Sequence, residues 1–265
     1  MSGAGGVVTL VLLEWTAGWL GAAAWTQSWK VVTRGHFRIT AWAALAAAVL
    51  AWLAGRAVAV APGSTVPFLL EPALTALMVA AAIYLTAQYL AGDGAGSVVG
   101  ALAAAIGLGA LALGAQGLSG WPVGLGALEL VAGAVLLGGV TNGMMLGHWY
   151  LNQPGLKPWA LARLTHVALA GVAGSIVLGA VAWTRLSRAT TDGAVLGLPG
   201  FGMDLGGAFY IVWLVLIAFT GVVVWGARRC IAIRSIQSAT GLYYAALLSA
   251  GVSEFVVRYL MVNAA

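Results

Sequence analysis

Residues 123–150 read VGLGALELVAGAVLLGGVTNGMMLGHWY. The run is apolar and small throughout, with one carboxylate, Glu129, near its start and one histidine, His148, near its end. A helix rises about 1.5 Å per residue, so roughly 20 mostly apolar residues cross a bilayer. This stretch is therefore expected to span a membrane. Seven further segments qualify, at 5–26, 38–60, 67–90, 96–116, 159–183, 206–227 and 239–262. The breaks between them carry turn chemistry: Pro62-Gly63, Gly92-Asp93-Gly94, Pro154-Gly155 and Pro199-Gly200. Only the connection 185–205 is long, and it is expected to hold a surface segment or a re-entrant turn.

Composition agrees. The chain is 62% hydrophobic and 7% charged, whereas globular domains carry about 25% charged residues. The expected fold class is all-α: a polytopic membrane protein of about eight transmembrane helices with no soluble domain. The lone Cys230 excludes an intrachain disulfide and a cysteine-based metal cluster. The 38 glycines suit close helix packing in lipid. The net charge of +5 reads as topology, not as nucleic-acid binding. Residues 1–20 lack a basic leader region and carry Glu14, so no cleaved signal is expected.

Lys30, Arg34, Arg38, Lys157, Arg163, Arg228, Arg229 and Arg234 fall on one side of the expected topology. Arg56, Arg185, Arg188 and Arg258 fall on the other. The excess predicts a cytoplasmic location for the first side and non-cytoplasmic termini, in a cell inner membrane. His36, His148 and His166 then share the cytoplasmic face. Glu14, Glu71, Glu129 and Glu254 lie toward the external one.

An internal repeat is also expected. Leu13-Glu14-Trp15-Thr16-Ala17-Gly18 matches Leu128-Glu129-Leu130-Val131-Ala132-Gly133, and Thr26 matches Thr141 at the same offset. Gly35-His36-Phe37 matches Gly147-His148-Trp149 after a three-residue shift. The copies would be 1–120 and 121–265, two four-helix units of the same orientation.

Two groups of residues carry candidate chemistry. The first is the histidine face: His36, His148, His166, Trp149, Tyr150 and Asn152. Histidine, tyrosine and asparagine at the interface can hydrogen-bond quinone oxygens, and imidazole can pass protons near neutrality. Bis-histidine ligation would also serve a haem b, although packed helices about 8–10 Å apart leave little room for one between His148 and His166. An aromatic belt at the headgroup level is the plain alternative for Trp149 and Tyr150. No metal site is expected.

The second group is the intramembrane charges. Glu14 and Glu129 suit a proton or cation path, or a carboxylate paired with an arginine. Glu254 and Arg258, spaced i,i+4, suit an ion pair on one helix face that joins that path. Glu71, before Pro72, suits a helix start.

The helix count, the size and the ending Ser253-Glu254-Phe255-Val256-Val257-Arg258-Tyr259-Leu260 resemble membrane-anchor subunits of quinone-linked oxidoreductases. These are the polysulfide reductase membrane-subunit family and the related dimethyl sulfoxide reductase anchors. The resemblance implies a membrane subunit of a respiratory-type redox complex, with quinone as cofactor and redox subunits as partners besides the lipid bilayer. Such a chain would be non-catalytic or quinone-reactive. The residues alone equally admit a proton-coupled secondary transporter using the glutamates, or a structural subunit.

Overall fold

A computed structural model describes residues 1, 3–188 and 206–263. Among them are nine helices: α1 (Gly3–Ser28), α2 (Arg34–Ala59), α3 (Leu70–Leu90), α4 (Asp93–Gln116), α5 (Val123–Trp149), α6 (Trp159–Val181), the one-turn α7 (Trp183–Leu186), α8 (Gly206–Ala232) and α9 (Ile236–Asn263). All but α7 are long and apolar enough to cross a membrane. The chain is an all-α, multi-pass membrane protein. Of the long connection expected at 185–205, residues 189–205 lie outside the described residues.

Helix is the form that lets an apolar segment satisfy its own backbone without water. Hydroxyls inside the spans follow the same rule. Thr9, Thr16, Thr26, Thr40, Thr75, Thr165, Thr220 and Thr240 each donate to the carbonyl four residues earlier. The ends are set by turns. Gly63 and Gly155 adopt positive φ in the α2–α3 and α5–α6 connections, where a side chain would strain. Thr33 precedes α2 but gives that helix no side-chain cap. Its hydroxyl instead meets Gln153 Oε1 at 3.2 Å and accepts from Trp149 Nε1 at 3.0 Å. The α1–α2 and α5–α6 connections therefore meet at one end of the bundle.

The helices pack as two rings of four. In the first, α1–α2, α2–α3, α3–α4 and α4–α1 are neighbours; in the second, α5–α6, α6–α8, α8–α9 and α9–α5. The rings join chiefly through α1, which packs along α5 and touches α9, and α4 also packs against α5. At the α1–α5 crossing no side chain intervenes. A methyl on Gly18 would strike the Ala134 carbonyl, and one on Gly138 would strike Gly18. Backbones can approach this closely only over glycine. The crossing makes α1, α5 and α9 the most enclosed spans, with 67%, 61% and 61% of their apolar windows buried. These three helices carry Glu14, Glu129, Glu254 and Arg258.

Candidate functional site: an arginine with three carboxylates

Arg258 sits on α9 about five residues from its end, roughly 8 Å along the axis. Its guanidinium is fully enclosed and gathers three glutamates from three helices. Glu14 Oε1 of α1 lies 2.6 Å from Nε, Glu254 Oε2 of α9 lies 2.7 Å from Nη2, and Glu129 Oε2 of α5 lies 3.9 Å from Nη1. Each of the four residues is at most 1% exposed. Nη2 also donates to the Glu129 carbonyl at 2.9 Å, and Nη1 to Met261 Sδ at 2.7 Å.

The three carboxylates are not held alike. Only Glu254 accepts an aligned hydrogen bond from the guanidinium. The Glu14 contact is at ion-pair distance but off the N–H axis, so neither Glu14 oxygen has a hydrogen-bond donor. Glu129 Oε1 has none either. Gly133 makes room for the group: a methyl there would lie 2.5 Å from Glu254 Oε2, 2.6 Å from Arg258 Nη2 and 3.0 Å from Glu14 Cδ. If every member were ionised, the site would carry one positive and three negative charges, a net charge of −2.

This cluster departs from the sequence reading in one respect. Glu254 and Arg258 do pair at i,i+4, but the pair is the centre of a four-residue site that takes in Glu14 and Glu129. Three lone carboxylates at similar depth in three spans, and one arginine in a fourth such position, are the signal that could have grouped them. Glu71 lies outside the cluster. It stands in the first turn of α3, as its placement before Pro72 suggests, and also pairs with Arg56 of α2 at 3.4 Å.

Smaller polar contacts continue from the cluster toward the opposite end. The Thr220 and Ser249 hydroxyls lie 2.8 Å apart, and Thr165 and Tyr243 share a 2.7 Å hydrogen bond. Asn142 donates to the Trp19 carbonyl at 3.2 Å, and Trp15 Nε1 to Thr141 at 2.8 Å. The first two lie where α9 meets α8 and α6, and the last two lie between α1 and α5.

The histidine end is arranged differently. His36, His148 and His166 share one end of the bundle, but among the described residues none bonds or stacks with another. His36 is buried, with its ring 5.8 Å from that of Trp149 and 5.1 Å from that of Phe37, and neither nitrogen has a hydrogen-bond partner. His148 is exposed on the outer side of α5. His166 is exposed on α6 and accepts from Arg228 Nε at 3.1 Å. Trp149 is spent on Thr33. Tyr150 donates to the Lys157 carbonyl at 2.8 Å, and burial pushes its phenol up to about 12, so it stays a neutral donor. Asn152 is exposed. Beside these residues a mostly apolar groove of about 490 Å³ runs between α5 and α9, lined by Gly147, Tyr150, Leu151, Ile236, Gln237, Thr240, Gly241 and Tyr244. None of the three histidines lines it.

No group of three or more metal-ligating side chains occurs among the described residues. Compared with known proteins, the chain matches no family model, no curated protein and no solved structure.

Proposed function

We propose that this chain is a proton-handling membrane protein of the proton-coupled transporter class, and that the Arg258 cluster is its proton-binding site. One observation carries the reading: three carboxylates share a single guanidinium with no exposure to solvent. An uncompensated charge in such a place costs several kcal/mol. Two bound protons bring the site from −2 to neutral. Protons that bind for this reason leave again when an aqueous path opens, which is the basis of ion coupling at sites within the membrane. The polar contacts along α5 and α9 offer stepping points toward the histidine end. The excess of Lys and Arg at that end supports placing it in the cytoplasm of an inner membrane, with the cluster nearer the outer side.

Infrared difference spectra of the protein in liposomes test the reading, together with a trapped pH-sensitive dye and an imposed potential. Protonated-carboxyl absorption near neutral pH is expected, weaker in Glu14→Gln and weaker still with Glu129→Gln added. Potential-driven proton movement should fall with it. A cluster fully ionised at neutral pH would sink the proposal.

A second reading keeps the redox subunit suggested by the anchor resemblance. The groove beside Tyr150 and Tyr244 favours it, since a flat apolar ring fits there with Gln237 and Thr240 nearby. Quinone would then be the proton acceptor, and partner subunits would supply electrons. A haem b on His148 or His166 would sit on the outside of the bundle, where both imidazoles project. Quinone extraction and a visible absorption spectrum of the purified protein separate the readings. Neither quinone nor haem is expected if the cluster acts alone.

A further inference from the structure

We propose that Glu14 is the residue whose proton matters for movement, and that its contact with Arg258 latches the two helix rings together at the end opposite the histidines. This inference rests on the proton-handling reading and names the site's moving part. Of the four cluster residues, Glu129, Glu254 and Arg258 belong to the second ring, and Glu14 alone belongs to the first. Glu254 holds Arg258 by an aligned bond within one helix, so that pair travels together. The Glu14 contact is close but unaligned, and joins two helices from different rings. A proton on Glu14 removes its charge and with it the ion pair that this contact forms between the rings.

The remaining polar contacts between the rings are placed unevenly. Trp149 to Thr33, Gln153 to Val31 and the Thr33 amide to Gln153 bind them at the histidine end. Trp15 to Thr141 and Asn142 to Trp19 bind them further in. Among the described residues, the polar ties toward the other end include Glu14–Arg258 and a bond from Arg185 to the Gly120 carbonyl in the connection that joins the rings. The close backbone crossing of Gly18 with Ala134 and Gly138 lies between the Glu14 contact and those of the histidine end. It is the natural pivot. Release of Glu14 then opens the cluster's end while the histidine end stays closed.

Among the described residues the ionisable groups facing Glu14 are few. From α9 they are Arg258 and Glu254, and from α5 Glu129. On α2, Arg34, His36 and Arg38 lie in the first two turns and Arg56 in the last, Arg34 beside Asp93 of α4 and Arg56 beside Glu71. Acidification therefore acts on the latch through the cluster itself.

Paired spin labels on the full chain in liposomes test this, in a Cys230→Ser background. Val60→Cys on the first ring and Val181→Cys on the second report the cluster's end; Ile39→Cys with Ile233→Cys reports the other. All four positions are exposed. The first distance should lengthen on acidification and the second should not. Glu14→Gln should hold the long distance at every pH, and Glu129→Gln should keep the transition. Should Glu14→Gln fail to fold, Glu14→Asp, with a weaker contact, should open at higher pH than the parent. A pH-independent Val60–Val181 distance, or a Glu14→Gln protein that still switches, overturns the latch. If infrared spectra at the same time show the carboxyl protons, the proton-binding reading stands without it.

Discussion

Gly133→Ala is the most informative single change. Its new methyl would stand 2.5 Å from Glu254 Oε2 and 2.6 Å from Arg258 Nη2. Ordinary contact begins at 3.4 Å, so the two atoms must retreat by about 0.9 and about 0.8 Å. They are the two ends of the cluster's aligned bond, and each is already enclosed. Overpacking costs about 1–3 kcal/mol, and complete rupture of a buried pair about 3–5 kcal/mol. Alanine returns about 1 kcal/mol of helix propensity. Partial displacement of the pair gives a net loss of about 2–4 kcal/mol. Gly174→Ala on α6 is the control, since its methyl would meet only Ala132 Cβ at 3.4 Å. That variant should gain up to about 1 kcal/mol. The two proteins should therefore differ by about 3 kcal/mol, or roughly a hundredfold in their folding equilibrium. Reversible unfolding in mixed micelles measures the difference. Equal stabilities within about 0.5 kcal/mol would refute the claim that Gly133 exists to admit the cluster.

Other substitutions probe separate parts of the structure. Arg258→Met strands three carboxylates without their cation; it should lower stability by about 3–5 kcal/mol at neutral pH and recover part of that in acid, as a pH series of unfolding curves would show. Gln27 and Gln88 form a reciprocal amide pair inside the first ring, at 2.7 and 3.2 Å. Gln88→Leu leaves a buried amide unsatisfied and should cost about 1–3 kcal/mol, while Gln27→Leu with Gln88→Leu should cost less than the single change. Melting curves of the three variants decide this. His166→Ala removes an exposed contact to Arg228 and should move stability by less than about 1 kcal/mol in the same assay. His148→Ala should leave both stability and proton movement in liposomes intact; loss of proton movement would return the histidine face to the centre of the mechanism.

Much of this was legible in the residues. Hydropathy and Pro-Gly breaks located every span to within a few residues, because a bilayer demands apolar length. The shared end of the three histidines followed from counting helices. Their separate environments did not, because which side of α5 carries His148 depends on how that helix is rotated against its neighbours. The cluster was half visible. Each glutamate stood out as a charge in an apolar run, but only the crossing of α1 over α5, at Gly18 and Gly138, brings Glu14 to Arg258. No local pattern encodes that crossing, since glycine pairs are common throughout this chain.

The cluster draws its members from the first, fifth and last long helices. During synthesis Glu14 and Glu129 enter the bilayer long before Arg258 has been made. They must wait there as neutral acids or against transient partners. The rings can therefore form in turn, but the seam between them closes only when α9 arrives. An Arg258 variant would show this as a chain that inserts normally yet remains prone to quality-control proteases in the membrane, its two halves formed and unjoined.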